Sequence, residues 1–119
     1  MEKNPDGLWM MEAPDVAKTN AVYGKIQNPY PSDVQITKIE SDWYGSIELH
    51  ESMNDDYGIM RMRKQSLPLT FKMNETLKLT KGGKHLMLYD KKKNNGSIKI
   101  IFYLSNGLKL EEIVEVRKK

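Results

Sequence analysis

Cysteine is absent from the 119 residues, so disulfides, thiolate metal sites and cysteine nucleophiles are excluded together. Histidine is scarce, with only His50 and His85, and phenylalanine and tryptophan occur twice each. No apolar run approaches the roughly 20 residues of a membrane-spanning helix, so no membrane insertion is expected. No helix of three turns is expected either. Charge of one sign is also lacking. Nineteen Lys and Arg face sixteen Asp and Glu, for a formal net charge of +3. That balance is too even to argue for a nucleic-acid partner. No secretory leader is visible: Met1 is followed by the polar Glu2-Lys3-Asn4-Pro5-Asp6-Gly7. The chain therefore reads either as cytosolic or as a mature form carrying an added initiator Met. Length and composition imply one domain over residues 1–119, with 1–7 as a flexible start.

What is abundant is methionine. Eight Met is unusual where Leu and Ile normally fill a core and Met only patches gaps. Each of the two histidines has a Met within three residues.

Hydrophobic residues recur with period two. Val34 and Ile36, Ile47 and Leu49, Leu77 and Leu79, Leu108 and Leu110, and Val114 and Val116 each alternate with polar neighbours. Residues 98–104 are more continuously apolar, as a strand covered on both faces would be. Turn signals separate these runs at residues 28–33, at Gly82-Gly83, at Asn94-Asn95-Gly96 and at Ser105-Asn106-Gly107. The pattern predicts an all-β sandwich or barrel of about eight to nine short, mostly antiparallel strands. They are placed near 8–13, 20–28, 34–41, 46–50, 58–64, 75–80, 84–90, 97–104 and 108–117. Lys91-Lys92-Lys93 reads as a solvated turn that discourages aggregation.

Alternation also sorts the His and Met residues. Side chains two apart on a strand share a face, so His85 projects with Met87, and Met60 with Met62. His50 points away from the core that Ile47 and Leu49 build. Thioether sulfur is soft and uncharged, and imidazole is intermediate. A site of neutral Met and His donors prefers Cu(I) over Zn, Ca or Mg. A blue-copper site would need a Cys thiolate beside two His, which this chain cannot supply. Met53 and Met60 are reserve ligands. Two arrangements stay open: two His with two Met, or one His with three Met, Met53 replacing His50. Met73 reads as core or loop, and at most one of the adjacent Met10 and Met11 can join a site. Glu48, Glu51, Asp55 and Asp56 read first as a solvated acidic loop, with a docking surface or a weak, harder ligand set for Cu(II) as the functional alternatives. Trp43 and Tyr44 read as the cap of a barrel end or as a docking patch.

These residues resemble the PCu(A)C family of bacterial periplasmic copper chaperones. The likeness is carried by His50, Met62, His85 and Met87. Their surroundings add to it: Glu48-Leu49-His50-Glu51, Gly58-Ile59-Met60-Arg61-Met62-Arg63, and Lys81-Gly82-Gly83-Lys84-His85-Leu86-Met87-Leu88. It runs from about Trp9 to Arg117. Met62 lies twelve residues after His50, and His85 twenty-three after Met62, each interval one residue longer than the family's usual spacing. The extra residues fit the Asn54–Tyr57 loop and the Leu67–Glu75 connection. Lys81 stands where the family commonly has Pro. The chain ends in Arg117-Lys118-Lys119 rather than in a His- and Met-rich extension, so no second copper site is implied.

The resemblance implies a cupredoxin-like β-sandwich or barrel that binds one Cu(I) through His50, Met62, His85 and Met87, with Cu(II) open as a second state. It implies delivery of that copper to a partner such as the CuA centre of cytochrome c oxidase subunit II, or exchange with a Sco-type protein. The compartment would be periplasmic or otherwise extracytoplasmic, and the protein a monomer. The rival is a metal-free β-sandwich interaction module, which requires Met60, Met62 and Met87 to be buried among Leu and Ile. An OB-like barrel binding single strands through Lys91–Lys93 is the other rival, disfavoured by the low net charge. No enzyme is expected: there are two histidines, no cysteine and no serine-centred nucleophile motif.

Overall fold

The computed structural model describes residues 7–92 and 96–118. They form eleven strands and no helix. The strands are β1 (Trp9–Met11), β2 (Asn20–Val22), β3 (Gly24–Gln27), β4 (Val34–Ser41), β5 (Tyr44–Asn54), β6 (Met60–Gln65), β7 (Leu69–Phe71), β8 (Thr76–Leu79), β9 (Lys84–Lys91), β10 (Ile98–Leu104) and β11 (Lys109–Arg117). One sheet runs β1-β11-β10-β4-β7, a second runs β2-β9-β5-β6, and β3 pairs with β8. All the strand pairings are antiparallel except β1 with β11.

Period two dictates which residues meet between the sheets. From β10 come Ile98, Ile100, Phe102 and Leu104, all buried. Across from them lie Leu49 of β5 with Leu86 and Leu88 of β9. The core continues through Leu8, Met10, Val22, Ile36 and Phe71. The other face of β10 (Lys99, Ile101 and Tyr103) is only half-buried, so this strand is covered on one side and not on both as its apolar run suggests.

The strand count exceeds the sequence-based expectation for two local reasons. The run over 20–28 is divided at Tyr23, just before Gly24, whose φ of 124° is open to glycine and strained for other residues. A Cβ there would collide with the Gly7 carbonyl oxygen and Leu8 Cα. Tyr23 and Trp9 form a bridge at this break, each N–H donating to the other's carbonyl, with N···O distances of 2.8 and 2.9 Å. The second addition is β7, three residues long and too short to show alternation.

Asn28 is the other local anchor. It is 1 % exposed, and its side-chain amide donates to the carbonyls of Ser32, Phe71 and Lys72 while its oxygen accepts from the Tyr30 N–H. It thereby ties the 28–33 loop to the end of β7. Trp43 and Tyr44 are buried, which fits a barrel cap and not a docking patch. Met73 is an exposed loop residue, and Met10 is core. Gly96 and Gly107 take positive φ at the turns predicted around them. The expectations for residues 1–6, Lys93 and Asn94-Asn95 lie outside the described residues. No helix among the described residues is long and apolar enough to cross a membrane.

Candidate metal centre

The sheet β2-β9-β5-β6 has one face on the core. Its other face carries the chemistry. Register places His50 of β5 directly opposite His85 of β9, with ring centroids 5.9 Å apart. Paired residues share a face, so Ser46, Glu48 and His50 of β5 lie beside Tyr89, Met87 and His85 of β9. On the far side β6 contributes Met60, Met62 and Lys64, because Lys64 pairs with His50 and Met62 with Ser52. The four side chains His50, Met62, His85 and Met87 thus project from three adjacent strands on one side.

The two ends of this group differ in exposure. His85 is 3 % exposed, and Met87 is half-buried between Glu48 and Ala21 in the register. Met62 and Met60 are 58 % and 59 % exposed on β6, an edge strand. The metal-free module requires both to be buried, which this exposure contradicts. Met53 pairs with Arg61 and falls on the opposite face from His50, so β5 does not bring it to the group. Met60 shares the face and lies farther along β6.

Aromatic rings line the rest of this face. Tyr23 lies 6.1 Å from His85 and Tyr89 6.3 Å from His50, centroid to centroid. Trp9 continues the row 5.1 Å beyond Tyr23, with the Arg117 guanidinium 4.3 Å above it. Both imidazoles are held at one nitrogen. Nδ1 of His85 lies 3.1 Å from the Gly83 carbonyl oxygen. Nε2 of His50 lies 3.0 Å from Glu48 Oε1 and 3.4 Å from the Tyr89 hydroxyl. The hydrogen bond from His50, with a further one from Lys64, holds the Glu48 carboxyl below its ordinary range. Burial, and then the Glu48 charge, pushes the Tyr89 phenol up.

Sequence reasoning grouped Glu48 with the acidic loop and passed over Tyr23 and Tyr89. Glu48 stands two residues before His50 on the same face, so the same parity rule that joins His85 to Met87 pointed to it.

Among the described residues, no three His, Cys, Asp or Glu side chains gather as a metal site. What the register places on this face instead is two imidazoles and two thioethers. His50 Nδ1 is buried and has no hydrogen-bond partner, one of two such side-chain atoms in the described structure. A buried nitrogen without a partner is costly unless something binds it. Neutral soft and intermediate donors with one free buried nitrogen suit a soft cation such as Cu(I) better than a hard divalent one.

The model of the LpqE-like lipoprotein family matches residues 5–116. The chain belongs to the LpqE-like family. A relative of this LpqE-like chain is the uncharacterized protein RP573 of Rickettsia prowazekii (strain Madrid E), 34 % identical over 73 residues. Those residues are 61 % of this chain and 40 % of RP573, so the chain matches less than half the length of that relative. Among solved structures, the copper-bound PCuAC domain from PmoF2 superposes with a TM-score of 0.71 at 12 % identity, covering 96 % of this chain and 91 % of the other. The solution structure of CuI-DR1885 from Deinococcus radiodurans gives 0.63 at 19 % identity, covering 95 % and 76 %. The LpqE-like chain therefore has the all-β, cupredoxin-like fold of PCuAC domains, as its motif resemblance implies.

Proposed function

We propose that this protein is an extracytoplasmic copper chaperone that holds one Cu(I) through His50, Met62, His85 and Met87. The observation that carries the reading is the pairing of His50 with His85 across β5 and β9, with Met62 and Met87 on the same face and His50 Nδ1 left without a partner. The copper-bound PCuAC neighbours support it at the level of the fold.

The uneven burial suits a carrier. Neutral, monodentate donors let an incoming ligand replace one thioether or imidazole at a time. Copper would be released first at Met62, on the exposed edge strand, and last at the buried His85. The recipient would be a protein with its own soft ligands, such as the CuA-bearing subunit II of cytochrome c oxidase or a Sco-type protein. Cu(II) would be the poorer guest, because no carboxylate or thiolate stands among the four donors.

The test is an anaerobic Cu(I) titration against a chromogenic chelator, with ligation read by X-ray absorption. One tightly held equivalent with mixed sulfur and nitrogen ligation is expected. His85→Ala combined with Met87→Ala should abolish it. A wild-type protein that cannot compete with the chelator overturns the reading.

A further inference from the structure

Both neighbours of His50 Nε2 can accept a hydrogen bond. The Glu48 carboxylate, at 3.0 Å, can only accept, and the Tyr89 hydroxyl oxygen, at 3.4 Å, can accept as well. In the neutral ring the proton therefore sits on Nε2 and the lone pair on Nδ1. That Nδ1 is the buried atom without a partner. His85 is held the other way round. Its Nδ1 faces the Gly83 carbonyl, which can only accept, so its lone pair is on Nε2.

We infer that Glu48 is a positioning residue: by accepting the His50 Nε2–H it fixes the tautomer in which His50 offers Nδ1 to the metal, opposite to His85, which offers Nε2. The inference rests on the copper reading above and adds a residue outside its ligand set. A hydrogen-bond partner on the non-ligating nitrogen commonly sets imidazole orientation and basicity in metal sites. Glu48 is itself held from the neighbouring strand, because Lys64 Nζ lies 3.1 Å from its second oxygen. Lys64 pairs with His50 in the register and lies two residues from Met62 on the same strand. Glu48 thus links the strand of one imidazole to the strand of the exposed thioether.

The experiment is a long-range proton–nitrogen NMR correlation on 15N-labelled protein at about pH 8, above the ordinary imidazole range. Without metal, His50 should appear as the Nε2–H tautomer and His85 as the Nδ1–H tautomer. Addition of Cu(I) should shift His50 Nδ1 and His85 Nε2. Glu48→Gln, whose amide can donate as well as accept, should mix the His50 tautomers. It should weaken Cu(I) about ten- to hundredfold while the melting temperature is retained. Lys64→Met, which removes a solvent-exposed ion pair, should weaken Cu(I) about fivefold at most. An Nδ1–H tautomer for His50 in the metal-free protein overturns the inference. So does a Cu(I) shift at His50 Nε2, or an unchanged affinity in Glu48→Gln. Failure of the wild type to bind Cu(I) strikes the function reading instead, while the metal-free spectrum still decides the tautomers.

Discussion

His85 is nearly inaccessible and Met62 is more than half exposed, although both project from the same face of one sheet. Removing each should therefore affect metal and fold differently. His85→Ala leaves a cavity and removes one of the two hydrogen bonds to the Gly83 carbonyl, which keeps the Ser52 N–H, at a cost of about 2–3 kcal/mol. Met62→Ala should change stability by less than about 0.5 kcal/mol. Both should lose Cu(I) affinity. Urea unfolding beside the chelator competition separates the two effects.

Asn28 should be among the most sensitive polar positions. Its side chain makes four hydrogen bonds to backbone groups, one of them in a fully buried setting. Asn28→Ala strands three carbonyls and one N–H, for an expected loss of about 3 kcal/mol. Asn28→Asp keeps the acceptor for Tyr30 but turns a charge toward three carbonyl oxygens, and should be no milder. The midpoint of urea unfolding checks both.

Gly24→Ala should be disruptive although the new methyl is small. It combines a backbone conformation strained for alanine with a collision against main-chain atoms of Gly7 and Leu8, which cannot swing aside as a side chain could. A loss of about 3 kcal/mol or more is expected. Amide hydrogen exchange at Trp9 and Tyr23 should quicken, because their bridge lies beside the clash.

Glu112 gives a pH signature. It projects from β11 on the side of Val114 and pairs with Ile100, and burial raises its carboxyl above the ordinary value. A folded-state value above the unfolded one means the favourable contribution is complete below the unfolded value. It is lost as pH rises through the folded value. Glu112→Gln should therefore raise the melting temperature at pH 7, by about 3 °C at most because the group is part-exposed. At about pH 3.5, where the wild-type carboxyl is protonated in both states, the gain should vanish. Thermal melts of both proteins at the two pH values test this.

Strand parity was the most legible feature of the sequence. It puts His85 with Met87, Met60 with Met62, and His50 away from Leu49, and the register adds only which strands are neighbours. The same rule applied one step further separates Met53 from His50, since the two are an odd number of residues apart on β5. What the sequence could not display is contact across strands. Parity sets Glu48 beside His50, but its ion pair with Lys64 and its nearness to Tyr89 exist only once β6 and β9 arrive. Likewise β7 is invisible because Leu69, Thr70 and Phe71 pair with β4 through a register fixed thirty-odd residues away. The break at Gly24 is hidden for a similar reason. Glycine inside an alternating run signals a close approach, but only the fold shows that the approaching backbone is Gly7 and Leu8.

The parallel pairing of Trp9, Met10 and Met11 with Glu115, Val116 and Arg117 has a consequence for biosynthesis. Beyond the single Trp9–Tyr23 bridge, β1 has no ladder partner until a strand more than a hundred residues later has emerged. During that interval Met10 has no completed core to enter, and the Trp9 ring lacks its guanidinium cover. The aromatic row ending at His85 is thus finished by β11, whose Arg117 covers Trp9. Order at the imidazole face and closure of the sheet by β1 on β11 should therefore arrive together.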